Sequence, residues 1–435
     1  MSVLQDNVNS LNGGVWNFNG FSTLNREQRL QKLIAMGALS HDDLAYLNHA
    51  VDPALVSLSE KWVENVIGCF PLPLGVAAHF KIDGRDYAIP MVVEETSIIA
   101  AVSNTAKWVR ESGEINTKTL GDNSIGQMQI PIVSNFSAFK KNIEDHKQEL
   151  MDTVNQVMLS QLVMRGGGAR DIIVREISRP DGHVMAVLHV LLNTVDAMGA
   201  NIVNQVCEFL REPIENITGE RFALCIVSNL SDTKLTQAEL VIRNIDRQLG
   251  EGICEAALFA ELDPYRAATH NKGVLNGIDP VVIATGNDWR AVEAGIHAYA
   301  ARSGQYRSIT RWTMCGKDLL GRLTAPIAVG TVGGVTRLHP SAQLCLRMLG
   351  VQKADVLARI IAAVGLVQNL GALKALTTEG ISKGHMRLHI SNLLLAAGAT
   401  RDESLILHPR LEKMLGENKR ITASNVAVAL AELRT

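Results

Sequence analysis

The order of secondary structure predicted between residues 119 and 228 is the strongest constraint on the fold of this chain. A strand at 127–133 precedes a long amphipathic helix at about 137–165, and the turn RGGGARD then opens a strand in DIIVREI. An Asp-Gly pair predicts a hairpin into VMAVLHVLLNTV, and a helix at about 198–210 leads into a last strand in RFALCIVSN. The order β-α-β-β-α-β is typical of the ferredoxin-like fold. We therefore predict that 119–228 forms a separate small domain.

The rest of the chain must form further domains, because 435 residues are too many for one ordinary core. Short strands alternate with Gly- and Ala-rich helices from about 234 to 376, and their broad apolar coverage predicts helices that are buried on more than one side. We predict a mixed α+β fold with an inserted ferredoxin-like domain. A large α/β domain with a central buried helix (1–118 plus 229–376) and a small helical C-terminal domain (377–435) complete it.

Composition excludes several classes of partner. The net charge of −2 gives no electrostatic basis for binding nucleic acid or an anionic membrane. Apolar runs such as VMAVLHVLL are shorter than the roughly 20 residues that span a bilayer, and the N-terminus does not resemble a signal peptide. The six cysteines include no CxxC pair, which favours reduced thiols. These features predict a cytoplasmic protein.

Two adjacent carboxylates, Glu94 and Glu95, lie in the apolar run VVEETSIIAA, where a predicted strand ends and a helix begins. Carboxylates near a helix N-terminus are stabilised by its unpaired N–H groups, which is one interpretation. The other is a general acid that burial keeps protonated. Both can hold, one for each residue, because neighbouring side chains point in different directions. The helix that begins after these two carboxylates is predicted to end at Gly113.

A second polar group lies in DPYRAATHNKGVLNGIDPVVIATGNDWRA, where four side chains fall within 23 residues: Arg266, Lys272, Asn276 and Asp288. Cations near a developing oxyanion are among the strongest aids to catalysis. The alternative for Lys272 is an ordinary surface lysine.

The segment DAMGANIVN starts a predicted helix with Gly and small residues. Such an N-terminus can bind an anion, although a tightly packed turn explains the same pattern. No GxGxxG or GxxxxGK[ST] phosphate motif occurs in the chain.

In KGHMRLH, His385 and His389 have the spacing of metal ligands on one helix face, but Met386 rules out the HExxH zinc pattern. A single catalytic acid at His385 and a structural histidine remain as alternatives, and we predict no metal.

Six segments together are far more specific than any one of them. ENVIGCFPLPLGVA, VVEETSIIAA, DAMGAN, DPYRAATHNKG, TGNDWRAVEAG and TEGISKGHM occur in this order. The chain resembles the class II 3-hydroxy-3-methylglutaryl-CoA reductase family from about residue 25 to 400. The resemblance implies a four-electron interconversion of (S)-3-hydroxy-3-methylglutaryl-CoA and (R)-mevalonate plus free coenzyme A. Two hydrides come from nicotinamide cofactors.

The resemblance also implies the roles of individual residues. The matches to catalytic positions are Glu95, Lys272, Asp288 and His385. Those to residues that contact the hydroxymethylglutaryl group are Ser97, Arg266 and Asn276. Those to the dinucleotide loop are Asp196, Met198, Gly199, Ala200 and Asn201, and ENVIG matches a segment on the coenzyme A side.

These residue types suit the implied chemistry. Lys272 can stabilise the oxyanion, and His385 is suited to protonate the departing thiolate. Glu95 can protonate the final alkoxide if burial and Asp288 keep it neutral against the effect of Lys272. The three groups should then titrate as a unit.

The resemblance further implies that the small domain binds the cofactor, that the active site lies between two subunits, and that the C-terminal segment acts as a flap. A homodimer or a larger closed oligomer is expected. NADH-using relatives have an acidic residue late in the long helix, but 153–165 contains none and ends in Arg165. The choice between NADH and NADPH therefore stays open.

Two other functions fit part of the pattern. A non-catalytic coenzyme A or dinucleotide-binding protein would have no need of both Lys272 and His385. A thioester hydrolase would release coenzyme A without a nicotinamide, and no GxSxG motif is present.

Overall fold

The computed structural model describes residues 17–49, 52–378, 390–416 and 421–434. The chain divides into two compact units, one ending at Pro73 and one starting at Leu74. The first unit contains a short 3₁₀ turn at Phe21–Thr23 and three helices: α1 (Arg26–Ala35), α2 (His41–His49) and α3 (Pro53–Ser59). An Asn25–Gln28 capping box begins α1, so both side chains satisfy N–H groups that the helix leaves unpaired.

The described part of the second unit contains ten strands. They are β1 (Leu74–Ile82), β2 (Arg85–Val92), β3 (Gly113–Thr119), β4 (Asn123–Ile130), β5 (Gly168–Ser178), β6 (Val184–Asn193), β7 (Leu224–Ser228), β8 (Leu235–Ile242), β9 (Thr310–Cys315) and β10 (Asp318–Pro326). A β1–β2 hairpin and two four-stranded sheets, ordered β3-β8-β10-β9 and β5-β6-β4-β7, include all of them. Every ladder is antiparallel.

The helices of this unit are numbered in chain order. They are α4 (Ile98–Ser112), α5 (Phe136–Val157), α6 (Ser160–Val163), α7 (Ala200–Thr218), α8 (Arg247–Leu262), α9 (Pro264–Ala284), α10 (Trp289–Ala300), α11 (Gly334–Leu338), α12 (Pro340–Leu349), α13 (Ala354–Thr377), α14 (390–396), α15 (Arg401–Gly416) and α16 (Ala423–Arg434). The predicted mixed α+β class is confirmed.

The sheet order β5-β6-β4-β7, with α5 and α7 packed on one face, is that of a ferredoxin-like fold. The predicted β-α-β-β-α-β order is therefore confirmed, but the prediction of one helix as far as residue 165 is wrong. Helix α5 ends at Val157, and Asn155 hydrogen-bonds both polar backbone groups of Ala169 at 2.8 and 3.2 Å, which holds the chain where β5 begins. The glycines of the turn supply left-handed backbone, with φ of 87° at Gly166.

Helix α9 packs closely on α13 in the core of the large region. A Cβ at Gly277 would lie 2.8 Å from Cβ of Gln368, and one at Gly365 would lie 2.8 Å from the Ile278 side chain. Small residues therefore allow the two helix axes to approach, as the predicted burial on several sides requires. Helix α13 is long and apolar enough to cross a membrane, a feature that our sequence analysis did not identify. Its apolar side chains are nevertheless mostly buried within this core.

A buried polar network joins α9 and α13 to β9. The Oδ1 atom of Asn369 accepts hydrogen bonds from Trp312 Nε1 at 2.8 Å and from the Thr310 hydroxyl at 3.0 Å. Its Nδ2 atom lies 3.2 Å from His270 Nε2, which is 2.6 Å from the same hydroxyl. Burial, with a smaller effect of the nearby Arg266 charge, lowers the pKa of His270 to about 3. The imidazole is therefore neutral, and the network fixes α9 two residues before Lys272.

Three described helices near the C-terminus (α14, α15 and α16) have a hydrophobic core of their own. This agrees with the short helices expected there. The domain boundaries at 118, 228 and 376 remain predictions.

Asn369→Leu should lower the apparent Tm by about 5 °C or more, because Trp312 Nε1 loses its buried acceptor and the Thr310 hydroxyl and His270 each lose one hydrogen-bond partner. Differential scanning calorimetry measures the change. Gln368→Leu is the matched control, since the buried Oε1 of the adjacent Gln368 has no hydrogen-bond partner. Equal losses in the two variants would contradict a special role for the Asn369 network.

Candidate active site

The structure brings Glu95 and Lys272 together. Glu95 lies in the turn between β2 and α4, and Lys272 lies in the middle of α9, 177 residues further along the chain. The Lys272 Nζ donates to Glu95 Oε2 at 3.1 Å. The two side chains are 62% and 40% exposed, so the expectation that Glu95 is buried is wrong for a single chain. This pair faces solvent, where a substrate can reach it.

Ser97 follows in the same turn, at the N-terminal end of α4. Its φ is 82°, which places a non-glycine residue in the left-handed region at a cost of roughly 1–2 kcal/mol. Its hydroxyl does not cap the helix, and the buried Oγ has no hydrogen-bond partner among the residues that the structure describes. Strained backbone and an unpaired buried hydroxyl beside Glu95 are typical of a ligand-binding position.

Arg266 lies in the first turn of α9, which Asp263 caps with a hydrogen bond from Tyr265 N at 2.7 Å. Partial burial lowers the pKa of Arg266. Within the described part of the chain, its guanidinium makes no hydrogen bond or ion pair. Lys272 and Asn276 are four residues apart and therefore share a face of α9. Arg266 lies about 120° around the helix from Lys272.

Asp288 lies at the N-cap of α10 and is engaged there. Its Oδ1 accepts from Arg290 N at 3.1 Å, from Ala291 N at 3.2 Å and from Arg290 Nε at 3.3 Å. Among the described residues, no hydrogen bond or ion pair joins Asp288 to Glu95 or Lys272. The structure thus assembles two members of the expected Glu–Lys–Asp set and leaves the third on the adjacent helix.

The DAMGAN segment forms the loop between β6 and α7. Gly199 occupies the N-cap of α7 with φ of 98°, and no side chain caps that helix. The unpaired N–H groups of its first turn suit a pyrophosphate, so the loop fits a dinucleotide. Asp196 has a structural partner, because its Oδ1 accepts from Ala354 N at 2.9 Å and so anchors the loop to the start of α13.

Our sequence analysis missed a carboxyl pair on the same two helices, Asp279 of α9 and Glu293 of α10. Burial, followed by the charge of Glu293 and a hydrogen bond with it, raises the pKa of Asp279 to about 8. Its Oδ1 is buried without a partner. The signal in the sequence was the spacing, since Asp279 lies seven residues after Lys272 and therefore on nearly the same helix face.

His385 and His389 lie outside the described residues. In the described part of the chain, no group of three or more His, Cys, Asp or Glu side chains comes together as a metal site.

The chain is similar in sequence to known proteins over most of its length. A family model described as hydroxymethylglutaryl-coenzyme A reductase matches residues 25–390. The 3-hydroxy-3-methylglutaryl-coenzyme A reductase of Archaeoglobus fulgidus is 44% identical over 389 residues, covering 88% of each chain. A probable reductase of the same name from Borreliella burgdorferi is 31% identical, covering 87% of this chain and 86% of the relative.

Solved structures agree with the sequence relatives. The 3-hydroxy-3-methylglutaryl-coenzyme A reductase of Streptococcus pneumoniae superimposes with a TM-score of 0.74 at 37% identity, covering 96% of this chain and all of that one. A class II reductase structure from the same organism, bound to NADPH in open conformations, has a TM-score of 0.72 at 38% identity. It covers 83% of this chain and 100% of that chain.

Asp279→Asn should raise stability at high pH. The folded protein retains the Asp279 proton up to about pH 8, whereas the unfolded chain releases it near pH 4, so wild-type stability falls as pH rises between these values. The neutral amide removes that loss. Thermal melts should show a Tm advantage for the variant at about pH 8.5 that disappears near pH 4.

The control for this measurement is Asp232→Asn, which alters an exposed aspartate. A pH-independent Tm difference for Asp279→Asn, or the same profile in the control, would contradict a shared proton at Asp279 and Glu293.

Proposed function

We propose that this chain, which belongs to the hydroxymethylglutaryl-coenzyme A reductase family, uses the Lys272–Glu95 pair to reduce (S)-3-hydroxy-3-methylglutaryl-CoA to mevalonate. The observation that supports it most directly is the 3.1 Å contact between the two side chains in an accessible site. The chain is an oxidoreductase that uses a nicotinamide cofactor, as the resemblance implied.

The reaction converts a thioester carbon to a primary alcohol. The nicotinamide cofactor, when bound, supplies the two hydrides. The carbon–sulfur bond breaks between the two reductions, so one proton goes to the coenzyme A thiolate and one to the final alkoxide. The residues of this chain must therefore stabilise an oxyanion and deliver two protons.

Lys272 stabilises the oxyanion. Its ammonium group is a point charge on an exposed side chain, and its only described partner, the Glu95 carboxylate, orients it. A thioester oxygen that approaches Lys272 meets a donor that is already oriented, which lowers the barrier to carbonyl reduction.

Glu95 protonates the final alkoxide. The Glu95 side chain is exposed in the single chain, whereas proton donation near neutral pH requires a buried carboxyl, so Glu95 must first be covered. Substrate, a second subunit and the C-terminal segment are the candidates for this cover. The approach of Asp288 would add like charge and favour the protonated carboxyl. We assign the other proton, for the thiolate, to His385.

Ser97, Arg266 and Asn276 bind the hydroxymethylglutaryl carboxylate and its neighbouring oxygens. The unpartnered Ser97 hydroxyl and the Arg266 guanidinium are suited to this role, because a carboxylate accepts hydrogen bonds from both. Asn276 lies one helical turn from Lys272, so it contacts the substrate near the reacting carbon.

The dinucleotide binds at the N-terminus of α7, through the backbone of Met198, Gly199, Ala200 and Asn201. We propose NADPH as the preferred cofactor. Residues 153–165 contain no acid to contact a ribose 2′-hydroxyl, and Arg165 is exposed. The NADPH-bound relative supports the same choice.

The active enzyme is a homodimer. Three exposed apolar side chains precede Arg266 along the chain: Phe259, Leu262 and Tyr265, which are 54%, 62% and 88% exposed. Exposed apolar groups beside a catalytic helix are typical of a subunit interface. A partner that contacts Tyr265 would touch α9, the helix that carries Lys272. We further propose a cytoplasmic location, since all six cysteines are free thiols.

Lys272→Ala should lower kcat by about 100-fold or more while leaving NADPH binding within about threefold. Absorbance at 340 nm with hydroxymethylglutaryl-CoA measures turnover, and fluorescence titration measures binding. Lys317→Ala, which alters an exposed lysine elsewhere in the same unit, is the control and should keep full activity. Normal turnover in Lys272→Ala would overturn the assigned role.

Leu262→Asp should dissociate the dimer and reduce activity in parallel, because a charge replaces an apolar contact. Sedimentation velocity over a range of protein concentrations measures the assembly state. Leu344→Asp, which alters an exposed leucine of α12 outside the predicted C-terminal domain, should leave both unchanged. A Leu262→Asp protein that is monomeric but fully active would exclude an intersubunit site.

A further inference from the structure

Residues 285–288 form the turn that joins α9 to α10 and ends at Asp288. The Asn287 side chain in this turn hydrogen-bonds to a second loop, which contains Gly330. The Asn287 Oδ1 accepts from Gly330 N at 2.7 Å, and its Nδ2 donates to Gly330 O at 3.1 Å. The same Nδ2 lies 3.0 Å from the Thr285 hydroxyl. One carboxamide therefore satisfies both polar backbone groups of Gly330.

Gly330 in turn packs on the backbone of the dinucleotide loop. A Cβ at this position would lie 2.5 Å from Met198 N and 3.0 Å from Asp196 O, so only glycine fits. Thr331 N donates to Asp196 O at 2.9 Å, and Ala197 forms a parallel bridge with Val332. The loop after β10 therefore contacts the dinucleotide loop through its backbone, as a short neighbouring strand would.

These contacts form a continuous path of three short steps. Asp288 is covalently next to Asn287, Asn287 holds Gly330 with two hydrogen bonds, and Gly330 touches the backbone of Asp196 and Met198. A second contact holds the same turn without reaching the dinucleotide loop, since the Thr336 hydroxyl donates to Gly286 O at 3.1 Å. The two hydrogen-bonded contacts can therefore be separated by substitution.

We propose that Asn287 is a positioning residue for the reduction, because it fixes the turn bearing Asp288 relative to the loop that binds the dinucleotide. This inference rests on the proposed function of the site. Hydride transfer and proton delivery must both reach one carbon, and a displacement of about 1 Å between reacting groups can cost about 100-fold in rate. A side chain that hydrogen-bonds both the N–H and the C=O of one residue limits such a displacement.

Two substitutions of Asn287 separate the hydrogen bonds from general packing. Asn287→Ala removes both bonds to Gly330. Asn287→Asp keeps the shape and the acceptor for Gly330 N but loses the donor and places a charge beside Gly330 O. Thr336→Val is the matched control, because it removes a hydrogen bond from the same turn and leaves the Gly330 contact intact.

Kinetics with hydroxymethylglutaryl-CoA and NADPH give the first readout. Both Asn287 variants should lose about 10- to 100-fold in kcat, with substrate KM and NADPH Kd within about threefold of wild type. Thr336→Val should keep kcat within about twofold, even if its Tm falls. Unchanged kcat in Asn287→Ala, or equal losses in the control, would overturn the inference.

Hydrogen exchange gives a readout that needs no turnover. Asn287→Ala should speed amide exchange in the dinucleotide loop and in 327–333, whereas Thr336→Val should not. Unaltered exchange in both segments would overturn the inference whatever the activity. An inactive wild-type protein that still shows this exchange pattern would instead count against the proposed function alone.

Discussion

The close packing of α9 on the buried helix α13 determines where the reactive side chains lie. Gly277 and Gly365 allow the approach, and the Asn369 network adds directional hydrogen bonds to His270 and Thr310. Apolar contact alone would permit small rotations of α9, but directional hydrogen bonds in a low-dielectric core favour one register. Lys272 and Asn276 then project from a helix whose rotation is fixed, as the proposed role of Lys272 in oxyanion stabilisation requires.

The site of the single chain combines a rigid support, helix α9, with a pair of exposed charged side chains. Glu95 and Lys272 are paired but exposed, while the Ser97 hydroxyl is buried and has no partner. Asp288 is held by its own helix through Arg290 and Ala291. In the proposed mechanism, charged substrate groups bind to this arrangement, and proton delivery by Glu95 depends on the surface that closes over the exposed pair.

Local patterns predicted much of this structure. The Asp181-Gly182 hairpin between β5 and β6 and the β-α-β-β-α-β order both depend on turn residues and periodicity, and both are present. Gly113 does end α4, but for a different reason. Its φ of −166° is extended, and a side chain there would overlap the Val241 carbonyl of the neighbouring strand. A contact with a strand more than 120 residues away leaves no local trace in the sequence.

The site was predictable in its residue types but not in its geometry. The pairing of Glu95 with Lys272 joins two residues to which the resemblance assigned one reaction, and their catalytic roles remain predictions. The anchoring of Asp196 to Ala354 and the Asp279–Glu293 pair depend on tertiary contacts, which spacing alone does not determine. The same holds for the exposure of Glu95, because burial is a property of the assembled surface.

The stoichiometry of the reaction tests the central claim most directly. Purified protein is mixed with a limiting amount of hydroxymethylglutaryl-CoA and an excess of NADPH, and absorbance at 340 nm is followed together with free thiol. The account predicts that two molecules of NADPH are oxidised for each thiol released. Thiol release without NADPH oxidation would indicate a hydrolase, and no release by the folded protein would indicate a binding protein. Either result would contradict the account.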